Sequence, residues 1–335
     1  MSKPSSGIVT SHFTGRLGNQ LFEIASITGI ATKNGMTPKF SEWPYRKYFK
    51  NLLLLLDKHE LTENPNHYIT INEGKMWTYY DYILDPTKNY CFHGYYQTPK
   101  FFGSFKFEPD DITLERLSKQ LPQGETCSLH VRRTDYLHSH NFLVLEQQYY
   151  IDALGMVPKS THIVVFSDDL SWCNINVVPL LKDYASFSLN QSRIDIEDIF
   201  LMSLCTYNII ANSTFSWWGA YLNKAPFKVI CPKTWFINMA TPDLLPENWI
   251  QINNTTVESF SGFQNSLPDG SCRLDSLPDG SCRLDSLPDG SCRLDSPLKL
   301  LTSVQIPKYK PYIICITISY IVVVLSFIYF YMKTV

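Results

Sequence analysis

The stretch Cys127-Ser-Leu-His130-Val-Arg132-Arg133-Thr-Asp135-Tyr136 passes from apolar to charged within ten residues. Ser128, His130 and Arg132 alternate with Leu129, Val131 and Arg133, the period of a β-strand whose successive side chains point to opposite faces. His130 and Arg132 therefore leave the strand on one side. In open α/β sheets ligands lie beyond the carboxyl ends of the strands, and a guanidinium presents a rigid fork of donors that fits phosphate oxygens. The stretch points to an anion site suited to a diphosphate. The alternative is a salt-bridged strand end in which Arg132, Arg133 and Asp135 serve only one another.

Working outward toward the carboxyl terminus, strands alternate with helices from 125 to 235. Glu146 to Leu154 reads as a helix, and Thr161 to Ser167 as a continuous apolar strand followed by Asp168 and Asp169, as expected for a parallel sheet covered on both faces. Asp195 to Cys205 is amphipathic, with acids in its first turn. Tyr207 to Ala211 is a buried strand that runs into Asn212-Ser-Thr214-Phe-Ser216-Trp-Trp-Gly219, whose hydroxyls can cap the next helix or hold phosphate. Phe227 to Cys231 is a further strand. This alternation predicts a Rossmann-like lobe.

Toward the amino terminus, Ile8 to Phe13 reads as a strand, and Leu21, Ile24, Ala25, Thr28 and Ala31 recur at helical spacing. Between them stands Thr14-Gly15-Arg16-Leu17-Gly18-Asn19-Gln20. Its two glycines allow close backbone approach, and the amides at a helix start favour anions or sugar oxygens. The Gly-x-x-Gly spacing fits neither the dinucleotide fingerprint nor a phosphate loop, and a tight turn without a ligand remains the alternative. Pro38 to Phe107 is aromatic and irregular; within it His93 to Gln97, polar and aromatic around a glycine, is a candidate acceptor-facing wall. Leu52 to Leu56 is a short core segment, and Asp110 to Gln120 a helix.

The chain has 29 basic and 31 acidic residues and a formal net charge of −2, which excludes a general nucleic-acid binder. Its nine cysteines include no Cys-x-x-Cys pair, the pattern of reduced, buried thiols rather than a disulfide framework or a zinc site. Ser-Leu-Pro-Asp-Gly-Ser-Cys-Arg-Leu-Asp occurs three times over 266–295. Each copy holds a turn signal and two leucines, too little apolar surface to stack, so 263–310 is expected to be a flexible linker. Residues 311–331 are apolar and uncharged, long enough for a transmembrane helix. Lys308 and Lys310 precede this run, which predicts a membrane protein with a C-terminal tail anchor and a cytoplasmic body. Met1 to Ser11 lacks a signal-peptide core. The sequons at Asn190, Asn212 and Asn254 agree with that side, since Asn212 falls in the expected site.

Three stretches together resemble the α-1,2-fucosyltransferase family: Gly15-Arg-Leu-Gly-Asn-Gln20, His130-Val-Arg-Arg-Thr-Asp135 and Asn212-Ser-Thr-Phe-Ser-Trp-Trp-Gly219, with Phe166-Ser-Asp-Asp169 in keeping. The resemblance spans about Ile8 to Ile252. It implies an α/β, GT-B-like glycosyltransferase body over 1–262, with an acceptor-side lobe over about 8–120 and a GDP-fucose-binding Rossmann-like lobe over about 125–252. It further implies transfer of L-fucose from GDP-β-L-fucose to the 2-hydroxyl of a terminal β-galactoside, with inversion and no metal or other cofactor. A nucleotide-sugar donor and a galactose-terminated glycan would be its partners. On that reading Arg132 stabilises the charge growing on the departing β-phosphate, with Arg133 assisting or holding Asp135. Asn212, Ser213, Thr214, Ser216 and Asp168 hold the donor, and Gly15, Arg16, Gly18, Asn19 and Gln20 line the cleft from the other lobe. Asp195-Ile-Glu197 reads as helix first-turn charge rather than a metal-holding pair. Asp135, His130 and Glu23 are the candidate general bases. Another fucosyl linkage, an inactive membrane-tethered carbohydrate binder, and a Rossmann oxidoreductase or methyltransferase are the competing readings. The family's animal members carry an N-terminal anchor, from which this chain departs.

Overall fold

In a computed structural model of the chain, residues 7–52, 67–192 and 194–254 are described, all within one compact unit, Met1–Gln264. The strands are β1 (Ile8–Ser11), β2 (Thr37–Pro38), β3 (Ile69–Asn72), β4 (Tyr90–His93), β5 (Thr126–Val131), β6 (His162–Ser167), β7 (Ser186–Leu189), β8 (Tyr207–Ile209), β9 (Lys228–Pro232) and β10 (Ile250–Ile252). The α-helices are α1 (Leu17–Lys33), α2 (Asp111–Ser118), α3 (Gln147–Leu154), α4 (Leu170–Asn176), α5 (Asp195–Ser203) and α6 (Thr214–Tyr221). They build two sheets, in the orders β2-β1-β4-β3 and β10-β9-β8-β5-β6-β7, with every strand pair parallel.

The second sheet has the doubly wound order: from β5 the chain steps outward through β6 and β7, then returns to lay β8, β9 and β10 on the other side. All of β5 is buried, because helices cover a parallel sheet on both faces; hence Cys127, Leu129 and Val131 face one core and Ser128 and His130 the other side. In the first sheet β1 lies centrally between β2 and β4 and leads through the glycine turn into α1.

One apolar core runs through α1, α5 and α6. Phe22 meets Trp217 at 4.4 Å and Trp218 at 5.0 Å between ring centroids, and Phe102 stacks on Trp218 at 5.4 Å. Trp217 and Trp218 are fully buried and their indole N–H groups are satisfied, donating to the carbonyls of Leu244 and Gly18. Such aromatic packing contributes beyond the area it buries, and here it locks α1 against α6.

Residues 38–107, read from sequence as irregular, contribute β3 and β4 to the first sheet. Each has four residues, and β3 is largely exposed, so neither gives a clear alternation of apolar and polar side chains. The edge strands β7 and β10 and the helix α4 were likewise not expected. Among the described residues no helix is long and apolar enough to cross a membrane. The expected linker, repeats and span over 263–331, and Leu53 to Leu56, lie outside the described residues. Cys91, Cys127, Cys173, Cys205 and Cys231 are free and buried.

Candidate active site

β5 and β8 are neighbours whose connections leave in opposite directions, so a crevice opens beyond their carboxyl ends, the switch point where doubly wound sheets bind ligands. A cleft of about 630 Å³ lies there. His130, Arg132 and Asp135 line it from the end of β5, Asp168 from β6, and Asn212, Ser213 and Thr214 from β8. Gly15, Arg16, Gly18 and Asn19 close it from the other sheet.

Two helix starts meet in this cleft. Gly15 takes φ +68°, the left-handed region, which turns β1 toward α1. Arg16 at the N-cap makes no side-chain cap, which leaves the first amides of α1 available to an anion. Ser213 caps α6 through a long bond from the Phe215 amide, 3.4 Å. Gly18 sits against the start of α6: a Cβ there would stand 2.6 Å from Thr214 Oγ1 and 2.7 Å from the Thr214 carbonyl carbon. The two positive helix ends are thereby brought together, which suits a multiply charged anion.

The Arg132 guanidinium is held by two carboxylates, Asp135 at 2.6 Å and Asp168 at 3.1 Å, and lies 5.5 Å from the Tyr136 ring. Asp168 also accepts from the Arg133 amide (2.9 Å), the Thr134 amide (3.2 Å) and the Thr134 hydroxyl (2.6 Å). It thus fixes the loop that carries Arg132. Asp135 joins the two halves of the cleft, since its second oxygen lies 3.4 Å from Arg16.

His130 is 4% exposed and shares a 2.8 Å hydrogen bond between Nδ1 and Ser216 Oγ. Burial pushes the imidazole down to about 4, so it is neutral at pH 7 despite nearby Asp168. Asn212 donates to the carbonyls of Leu143 (2.7 Å) and Trp235 (2.8 Å), while its buried Oδ1 has no protein partner. Its burial leaves no room for a glycan.

Several expected site residues are placed elsewhere. Arg133 is outside the cleft lining, its guanidinium 4.1 Å from the Trp172 ring and 3.8 Å from Asp169, because the alternation of β5 carries on past Val131 and sets it on the face of Leu129 and Val131, against which Trp172 packs. Ser216 is hydrogen-bonded to His130 and does not line the cleft. Gln20 braces the glycine turn, donating to the Gly15 carbonyl (3.1 Å) and accepting from Trp43 Nε1 (2.9 Å). Glu23 is fully buried and accepts from the Thr14 amide and hydroxyl; burial pushes its carboxyl up to about 8. It is a structural acid beneath the turn, not a base in the cleft. From the expected wall 93–97, Tyr95 and Gln97 line the cleft and His93 does not.

The sequence reading missed one end of the cleft. Asp195 and Asp198 line it from the first turn of α5, accepting from Tyr45 (2.7 Å) and Asn190 (2.7 Å) respectively. Their i, i+3 spacing on one helix face was the available signal. Glu197 instead pairs with Arg116 at 2.6 Å, so Asp195 and Glu197 do not act together. Trp77, Phe142, Trp235 and Phe236 form an aromatic wall that comes from distant loops and has no local signature.

Residues 1–253 match the profile of glycosyl transferase family 11. The chain is 26% identical over 290 residues to an alpha-1,2-colitosyltransferase of Escherichia coli, covering 73% of this chain and 99% of that protein. It is 32% identical over 202 residues to the O-antigen biosynthesis glycosyltransferase WbnK of the same organism, covering 54% and 67%. A galactoside 2-alpha-L-fucosyltransferase of Mus musculus, Sec1, is 25% identical over 253 residues, covering 65% of each chain. With its family profile spanning both sheets and every residue of the cleft, this chain belongs to glycosyl transferase family 11, the α-1,2-fucosyltransferase family.

Proposed function

We propose that this chain transfers L-fucose from GDP-β-L-fucose to the 2-hydroxyl of a terminal β-galactoside, with inversion, in a GT-B-like body. The observation that carries the reading is the meeting of Arg132 with the starts of α1 and α6 at the sheet's switch point. These fixed positive groups suit a diphosphate leaving group, whose charge grows as the sugar departs. Asp195 and Asp198 offer acceptors to the N1–H and N2–H edge of guanine, and the aromatic wall suits a sugar face.

In the proposed step the bond from the fucose anomeric carbon to the β-phosphate oxygen breaks as the galactose 2-oxygen bonds to the opposite face of that carbon. Arg132 and Arg16 take up the charge of the departing GDP. The diphosphate claims guanidinium donors that Asp135 otherwise holds at 2.6 Å and 3.4 Å. That exchange frees Asp135 to accept the proton of the 2-hydroxyl, with neutral His130 bonding the donor. In this reading the Arg132 guanidinium takes the place of a metal on the diphosphate. Residues 311–331 would anchor the protein in a membrane, on the strength of their uncharged apolar run.

The likeness to a colitosyltransferase supports a second donor, GDP-L-colitose, whose sugar lacks the 3-hydroxyl of fucose. The two readings are separated by incubating the full chain with each donor and a β-galactoside in the presence of chelator, then determining the product linkage. Fucose on the galactose 2-hydroxyl is expected. Transfer from the colitose donor alone would replace the donor, and another linkage would overturn the acceptor assignment.

A further inference from the structure

Away from the cleft lining, at the carboxyl edge of the first sheet, three soft ligands converge: His12, Cys91 and His93. Cys91 and His93 are two apart on β4 and so share a face, and the register of β1 on β4 pairs Thr10 with Cys91 and Ser11 with Phe92. Continued by one residue, that register sets His12 beside His93, and their rings lie 5.7 Å apart.

We propose that His12, Cys91 and His93 form a three-ligand site for a zinc-class divalent ion, independent of the transfer reaction. The nitrogen and sulfur atoms of the three lie within 4.8 Å of one another. Cys91 Sγ and His93 Nε2 are 3.6 Å apart. Bond lengths of about 2.3 Å to sulfur and 2.05 Å to nitrogen put tetrahedral zinc ligands about 3.5 Å apart, so this pair needs little movement. His12 and His93 are exposed while Cys91 is buried, so an ion enters from solvent and keeps an open fourth position for water.

Binding requires Cys91 as the thiolate, so its proton passes to solvent as the S–metal bond forms. Thr10, opposite Cys91 in the register, has a buried hydroxyl without a protein partner, and a thiolate supplies an acceptor in its neighbourhood. The segments following His12 and His93 continue into Gly15 to Asn19 and into Tyr95 and Gln97, which line the cleft. A bound ion would tie the bases of these two segments together.

The test is cobalt(II) titration of the reduced full chain, read by the near-ultraviolet thiolate-to-cobalt band and by metal equivalents after desalting. Full-length variants His12→Asn, His93→Asn and Cys91→Ser are compared with the unaltered chain. Both histidines are exposed, so their variants keep the fold even where Cys91→Ser does not. Each histidine variant is expected to lose one equivalent and most of the band. Wild-type equivalents and band in both histidine variants would overturn the site by placing cobalt on other cysteines. Absence of a band in the unaltered chain would overturn it as well.

Discussion

Thr214 donates its hydroxyl hydrogen to Asn19 Oδ1 at 2.9 Å, joining the first turns of α1 and α6 across 195 residues of sequence. Asn19 Oδ1 also accepts from Gln97 Nε2 at 3.0 Å, and Gln97 Oε1 accepts from Trp77 Nε1 at 2.8 Å. This polar chain runs along the cleft wall and fixes the spacing of the two helix starts.

Gly18→Ala tests that spacing. Its methyl group would meet the Thr214 backbone at 2.7 Å and the Phe215 nitrogen at 2.8 Å, atoms that cannot rotate away. Overpacking of this kind costs about 1–3 kcal/mol, so thermal unfolding should shift down by several degrees. Turnover should fall further than stability accounts for. A variant with unchanged turnover would show that the helix spacing is not used.

Asp168 is a positioning residue, and Asp168→Asn should lower kcat more than it raises KM for the donor. The amide keeps one acceptor where the carboxylate serves two backbone amides, a hydroxyl and Arg132. Because it acts through Arg132, its effect on kcat should largely vanish in an Arg132→Ala background. Additive effects in the double variant would separate the two residues.

Glu23 gives a pH dependence with a definite sign. Its folded-state value, pushed up to about 8 by burial, lies above the ordinary carboxylate value of 4.5. The folded chain therefore binds this proton more tightly than the unfolded chain does. The associated stability is full below about 4.5 and is lost as pH rises through about 8. Denaturant unfolding across this window should show the unaltered chain weakening relative to Glu23→Gln; parallel curves would contradict the assignment.

His130 should remain neutral throughout the working range, because its buried ring is held down to about 4. Imidazole resonances assigned by comparison with His130→Asn should show no titration between about pH 5 and 8. A midpoint near the ordinary 6.5 would mean that the ring is hydrated and its contact with Ser216 does not persist.

The second sheet was legible because its central strands are buried on both faces, and a run such as Ile163 to Phe166 admits few other readings. The cleft residues at the ends of β5 and β8 were legible for the same reason: a polar cluster after an apolar run marks a strand's carboxyl end. The side taken by Arg133 follows from the same alternation, which sets it opposite Arg132; the Trp172 ring that receives it has no local signature. Glu23 could not be told from a cleft acid, because its burial comes from contacts made by the folded turn. Tyr95 and Gln97 were legible as part of the polar and aromatic cluster 93–97, whereas Trp77, Phe142, Trp235 and Phe236 come from loops without periodicity and are brought together only by tertiary packing.

The most direct measurement is acceptor-dependent release of GDP from saturating GDP-L-fucose by the full chain and by its Arg132→Ala variant, with folding checked by circular dichroism. Removing a preorganised group that stabilises growing charge costs about 10²–10³ in kcat, and the variant should lose that much while its fold survives. Near-normal release by a folded Arg132→Ala protein would contradict the proposed role of the cleft guanidinium.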